Sequence, residues 1–376
     1  MNLNAFSWAE IDLAALRHNL SVVRAHVKRS GAEVLAVVKA DAYGHGMLPV
    51  ARALRKEGVR FFGVASLAEA QTLRQVCRNE RILVLGSFSP GQVKDFIAAR
   101  VTPTLSSWED ARLFERALAR SKKRFPVHVK VDTGMGRLGA WHETAGPFFK
   151  KLRTARHLDV EGLYTHFASA DADSVRTRLQ ARHFSNALAE ARALGLRPRL
   201  VHASNSMGLS RFKDLHFDLV RPGIVLYGID PAPGHKLSAR LKPVMSLRTR
   251  AAFVKTVGKG RTLSYGATYR TTRSTRIATL PIGYSHGYRV AFSNRGHVLI
   301  RGRQYPVVGR VTMDQTLVDI GPSGPVKRWD TVTLLGRDGR AVIRAEELAR
   351  SAGTIPYEIV CAVHPRIPRT YKALRS

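Results

Sequence analysis

A lysine closes an apolar run at residues 34–38, and Ala40-Asp41-Ala42-Tyr43-Gly44-His45-Gly46 follows it as a turn-rich stretch. The run is short, β-branched and bounded by turn residues, which predicts a buried strand with an amine at its carboxyl end. Open α/β sheets and barrels place their chemistry at such ends. Lys39 has two readings there. On spacing alone the commoner one is a cation snorkelling into solvent; the sharper one is an amine that forms a Schiff base, most simply with pyridoxal phosphate. Other candidates stand at later run ends. Asp132-Thr133-Gly134-Met135-Gly136-Arg137-Leu138-Gly139 offers tight turns and a guanidinium fork suited to a carboxylate, and reads equally well as a surface turn. His166 is most simply a hydrogen-bonded core histidine. Asn205 and Ser206 could cap a helix, the commoner role, or hold a phosphate.

The elements that must position these groups alternate. Strands are predicted at 34–38, 60–65, 82–85, 101–105, 127–131, 160–166, 200–203 and 219–226. Helical patterns lie at 13–28, 48–57, 67–77, 92–99, 108–119, 143–154 and 174–194. Eight strands with intervening helices over about 230 residues imply parallel strands and a (β/α)8 barrel. A segment rich in Pro, Gly and Lys, 231–242, marks a boundary. Beyond it strand character dominates, at 246–257, 277–280, 298–300, 307–312, 317–320 and 331–335, with one clear helix at 345–352. The expected fold is therefore α/β: an N-terminal (β/α)8 barrel over 13–240, a smaller β-rich C-terminal domain over 241–376, and a segment 1–12 that can add a strand to the latter.

The string Ala36-Val37-Val38-Lys39-Ala40-Asp41-Ala42-Tyr43-Gly44-His45-Gly46 resembles the cofactor-binding segment of alanine racemases. The resemblance runs from about residue 8 to residue 371, through Val129–Gly139, Arg221-Pro222-Gly223-Ile224, Ser264-Tyr265-Gly266, Leu280–Tyr284, Gly309–Gln315 and Ile355–Ile359. It implies that Lys39 carries pyridoxal phosphate. Tyr43, Asn205, Ser206, Gly223, Ile224 and Tyr357 would hold its phosphate, with His166 beside its ring. Arg137 would bind the substrate carboxylate, braced by Lys130 if that residue is carbamylated. Arg221, bonded to His202, would face the pyridine nitrogen where many related enzymes place a carboxylate, making the ring a weaker electron sink and suppressing side reactions such as transamination. Met313 would meet the substrate, with Tyr284 lining the entrance and Asp314 in a supporting role. One departure is His286, where the family commonly has an acidic residue.

The implied activity is exchange of the α-proton between L-alanine and D-alanine, which supplies D-alanine for peptidoglycan. Lys39 would act on one face and Tyr265 on the other. A lysine amine and a phenol both titrate near ~10 unperturbed, so each must shift downward to act near neutral pH. In the family the tyrosine comes from the other subunit, so a head-to-tail homodimer is expected. The competing readings are a broad-specificity amino-acid racemase and a non-catalytic pyridoxal phosphate-binding protein; the latter resembles the barrel alone.

Composition bounds the rest. The chain has 376 residues and a formal net charge of +33. Its cations are dispersed in short clusters such as Lys122-Lys123-Arg124, with no zinc-finger or RNP-like spacing. Weak salt-sensitive contact with polyanions is expected, but no specific nucleic-acid function. No run is long enough to span a bilayer, the N-terminus lacks a signal-peptide pattern, and Cys77 and Cys361 are the two cysteines. A cytoplasmic protein without a metal site or structural disulfide is expected.

Overall fold

The computed structural model describes residues 6–230, 237 and 240–372. Residues 231–236, 238 and 239, which make up most of the predicted boundary segment, lie outside the described residues, as do residues 1–5 of the opening segment.

Eight parallel strands form the barrel: Glu33–Val37, Phe61–Val64, Arg81–Val84, Thr104–Leu105, Phe125–Asp132, Leu158–Tyr164, Leu200–His202 and Leu219–Val220. Ladders join the first three and tie Leu219–Val220 back to Glu33–Val37. Thr104–Leu105, Phe125–Asp132, Leu158–Tyr164 and Leu200–His202 form the second arc. A bridge between Leu83 and Thr102 closes one seam, and backbone bonds from Asp218 to Val201 and from Arg221 to Ser204 close the other. Strands covered on both faces must be apolar throughout, as in the wholly buried Phe61–Val64. The covering helices are amphipathic: Met47–Lys56 buries Val50, Ala51 and Leu54 and turns Arg52 and Lys56 outward. Several start on side-chain caps. Asp12 accepts from Ala15 N at 2.9 Å and Asp173 from Arg176 N at 2.9 Å.

The last barrel strand is shorter than the predicted 219–226. Pro222 lacks the N–H needed to extend the ladder, and the chain turns through the 3-10 segment Ile224–Tyr227.

The C-terminal region holds a seven-stranded sheet in which Trp8–Asp12 pairs antiparallel with Met245–Arg250 and parallel with Arg369–Lys372. The predicted strand 246–257 is two strands in two sheets. Met245–Arg250 joins the large sheet, and Phe253–Val257 a three-stranded sheet with Thr275–Leu280 and Thr316–Gly321. The transfer occurs at Ala251 and Ala252, whose N–H groups bond to Asp330 O and Thr279 O. The predicted strand 307–312 is a single bridge at Val307 followed by irregular chain. Gly309, at φ 72°, takes the backbone out of the ladder. A second helix, Pro356–Cys361, follows the expected one at Ala345–Ala352. Among the described residues no helix is long and apolar enough to cross a membrane.

Candidate active site

At the carboxyl ends of the barrel strands a cavity of about 370 Å³ is lined by Lys39, Tyr43, Lys130, Arg137, His166, Asn205, Ser206, Arg221, Gly223 and Tyr357, among others. Of the residues singled out from the sequence, these ten converge there. His202 lies directly behind Arg221, and Ile224 is buried beside Gly223.

Lys39 stands two residues beyond its strand. The chain then makes a left-handed helical turn through Ala40, Asp41, Ala42 and Tyr43, all with φ between 51° and 55°. Such a turn costs about 1–2 kcal/mol per non-glycine residue. Local bonds offset the strain: Gly44 N donates to Ala40 O at 2.9 Å, Met47 N to Asp41 Oδ1 at 2.7 Å, and Ala40 N to Glu69 Oε1 at 2.6 Å. The other Glu69 oxygen accepts from Ala65 N at 2.6 Å, tying the Lys39 turn to the next strand end. Glu69 had no sequence signal beyond its place in a helical pattern. Burial, then the Arg137 cation, lower the Lys39 pKa.

The loop bearing Arg137 is organised by Asp132. Its Oδ1 accepts from the N–H groups of Gly134 at 2.9 Å, Met135 at 2.9 Å and Gly136 at 3.1 Å, and its Oδ2 from Arg137 N at 3.1 Å. Burial alone would raise the Asp132 pKa, but these four donors hold it below the usual carboxylate value. Lys130, 3% exposed, sits over the Tyr164 ring at 5.7 Å. Burial, with Arg137 and Arg221 nearby, pulls its amine down to about 8.

Arg221 is 3% exposed. It donates to His202 Nδ1 at 2.7 Å, Thr165 O at 2.8 Å and Ala203 O at 2.9 Å, and lies 3.3 Å from His166 Nδ1. Burial lowers its pKa to about 10, so it remains a cation at neutral pH. The same burial, with Arg221 adjacent, holds His166 and His202 well below the normal histidine value and keeps them neutral.

The other end of the cavity is rich in hydrogen-bond donors. Tyr43 and Tyr357 bring their rings within 6.1 Å, Ser206 Oγ accepts from Gly223 N at 2.9 Å, and Asn205 caps the helix Ser206–Arg211. A Cβ at Gly223 would come 2.4 Å from the Tyr43 hydroxyl, so glycine keeps this space open. Phenols, a hydroxyl and backbone N–H groups suit an anionic group.

Tyr265, Tyr284, Met313 and Asp314 line a second, open cleft. Tyr265 is 71% exposed, on a turn between the paired strands Thr262–Leu263 and Tyr269–Arg270. The Tyr284 and Met313 segments abut at Gly283, where a Cβ would meet Thr312 O at 2.1 Å. Asp314 accepts from Ser285 Oγ at 2.8 Å. Within a single chain the Lys39 cavity and the Tyr265 cleft are separate. His286 lies beside the second, with Nδ1 3.2 Å from Gly283 N.

Comparison with known proteins gives the following result. The family profile "Alanine racemase, N-terminal domain" matches residues 11–231 and "Alanine racemase, C-terminal domain" matches residues 244–371. The chain is 47% identical over 369 residues to an alanine racemase of Geobacter sulfurreducens, covering 96% of each. It superposes on the crystal structure of alanine racemase from Streptomyces lavendulae with a TM-score of 0.93 at 34% identity, covering 99% of this chain and 98% of that one. The enzyme from Bartonella henselae, solved with covalently bound pyridoxal phosphate, gives 0.89 at 31% identity, covering 98% of this chain and 100% of that one.

Proposed function

The chain belongs to the alanine racemase family, and from that premise we propose how its own residues interconvert L-alanine and D-alanine. The observation that carries the reading is the convergence of the Lys39 amine, the Arg221 guanidinium and the Tyr43 and Tyr357 phenols on one cavity.

The cofactor of the family is pyridoxal phosphate, and the cavity fits it: the space held open by Gly223 beside Tyr43 accepts an anionic group, and a lysine amine stands in the same cavity. Tyr43, Tyr357, Ser206, Asn205, Gly223 and Ile224 would hold the phosphate. Lys39 would anchor the aldehyde, His166 would lie beside the ring and Arg221 would face the ring nitrogen. When bound, this cofactor acidifies the α-proton of the amino acid it holds.

Arg137 orients the substrate carboxylate as a donor-only fork on the loop organised by Asp132. Lys39 Nζ takes or returns the α-proton on the D-alanine face, and its lowered pKa favours the neutral amine that this requires. Tyr265 Oη does the same on the L-alanine face. Tyr265 lines a cleft of its own, apart from the Lys39 cavity, and is exposed in the single chain, which supports its supply by a second copy in a head-to-tail homodimer. Tyr284 and Met313 would arrive with it, narrowing the site toward a methyl side chain, and Asp314 would steady that segment through Ser285. Lys130, buried with its pKa lowered to about 8, is a neutral amine in a minor fraction of molecules at neutral pH; that amine would add to carbon dioxide with loss of a proton to solvent, and the resulting carbamate would pair with Arg137. We place the activity in the cytoplasm.

Incubation of the purified protein with pyridoxal phosphate and L-alanine in deuterated water tests the reading. α-Deuterated D-alanine is the expected product. Deuterium exchange without inversion would remove the two-face assignment.

A further inference from the structure

We propose that His128 and Glu161 are positioning residues for Arg221, joined to it through His202 by a directed line of contacts across the barrel interior. The proposal rests on the reading of Arg221 given above and assigns roles to two residues outside the cavity.

The direction follows from hydrogen-bond chemistry. A guanidinium only donates, so His202 Nδ1, 2.7 Å from Arg221 Nη1, must accept. The His202 proton then resides on Nε2, which donates to His128 Nδ1 at 2.9 Å. The His128 proton in turn resides on Nε2, which lies 3.4 Å from Glu161 Oε2, a charge contact without hydrogen-bond geometry. Each link leaves the next ring one tautomer. Glu161 is held from outside by Arg81 at 3.5 Å and Arg199 at 4.0 Å, and Arg199 is itself anchored to Asp159 at 2.7 Å.

Packing locks the rings. His128 and His202 are both fully buried. Tyr164 stacks on His202 at 4.6 Å with 4° between the planes, and Phe61 meets His128 edge-on at 5.8 Å. A Cβ at Gly162 would come 2.4 Å from the His128 ring, so the residue after Glu161 must be glycine for the ring to fit. Among the described residues no carboxylate lies within 4.0 Å of Arg221; its direct partners are two carbonyl oxygens and two histidines. Glu161 is the carboxylate at the far end of its line. Its charge acts on His128, and the fixed tautomers keep the guanidinium plane aimed at the cavity.

His128→Phe fills the slot without the links, Glu161→Gln keeps an acceptor without the charge, and Glu161→Asp restores the charge. The readouts on the loaded enzyme are the visible absorbance of bound pyridoxal phosphate as a function of pH, and kcat and KM for alanine. His128→Phe is expected to shift the pH at which the absorbance changes and to lower kcat about 10-fold or more with KM within about twofold. Glu161→Gln should shift the absorbance transition in the same direction by less, and Glu161→Asp should bring it back. Unchanged absorbance and kcat in folded Glu161→Gln and His128→Phe would overturn the proposal. So would losses that track only the melting temperature. Should His128→Phe not fold, Glu161→Gln at the outer end decides alone. If the unaltered protein binds pyridoxal phosphate but does not racemise alanine, the activity reading fails, and the absorbance comparison still decides this proposal.

Discussion

Arg221 Nη1 donates to His202 Nδ1 across 2.7 Å, while the other arm of the guanidinium spans Thr165 O and Ala203 O at 2.8 and 2.9 Å. A group fixed on both arms cannot swing away from the cavity. It also cannot hand a proton to a ring nitrogen as a carboxylic acid could. Arg221→Glu is expected to lower racemisation by at least about 100-fold and to open a slow transamination that yields pyruvate from alanine. Chiral chromatography alongside a pyruvate assay would show it; undiminished racemisation without pyruvate would contradict the role given to Arg221.

Gly223→Ala probes the proposed phosphate cradle. The added methyl would approach the Tyr43 hydroxyl at 2.4 Å, and backbone φ is not the obstacle. Affinity for pyridoxal phosphate should fall about 10-fold or more, with the fold retained. Titration of the cofactor-free protein, followed by absorbance, gives the answer.

Asp132→Ala removes the acceptor of four backbone N–H groups and frees the loop that presents Arg137. KM for alanine is expected to rise about 10-fold, with a smaller effect on kcat, because carboxylate positioning is lost ahead of proton transfer. Equal losses in kcat and kcat/KM at an unchanged KM would point away from substrate positioning.

Lys130 links pH to stability. Its folded pKa of about 8 lies below the value of an unfolded lysine, so the unfolded chain binds more protons between the two. The cost of burying the cation is therefore fully present below about 8 and disappears as pH rises through the unfolded pKa. In buffer freed of carbon dioxide, Lys130→Met should be more stable than the unaltered protein near neutral pH, by up to about 3 kcal/mol. The advantage should fade at high pH. Added bicarbonate should reduce the advantage near neutral pH, since carbamylation converts the buried cation to an anion beside Arg137. Denaturant titrations of both proteins across pH measure the difference.

The barrel was legible because alternating apolar runs and amphipathic helices carry strong periodic signals. The run ending before Lys39 and the pair Asp132 and Arg137 stood out for the same reason, at ends of such runs. The left-handed turn at Ala40–Tyr43 was not legible: of its four residues only Asp41 has any preference for positive φ, and long-range bonds such as Glu69 to Ala40 help to hold it. His128 and Glu161 looked like ordinary strand residues, since only the curvature of the second arc brings the first against His202, two strands away. The split at Ala251 and Ala252 carries no sequence mark, since neither glycine nor proline separates the two strands.

The most direct test of the two-chain site mixes two inactive variants, Lys39→Ala and Tyr265→Phe, under conditions that exchange subunits. In a head-to-tail dimer one site of the mixed pair regains both an intact Lys39 and an intact Tyr265. At statistical mixing, activity should recover to about a quarter of that of the unaltered protein. Failure to recover any activity in demonstrated mixed dimers would contradict the assignment of the opposite-face base to the second copy.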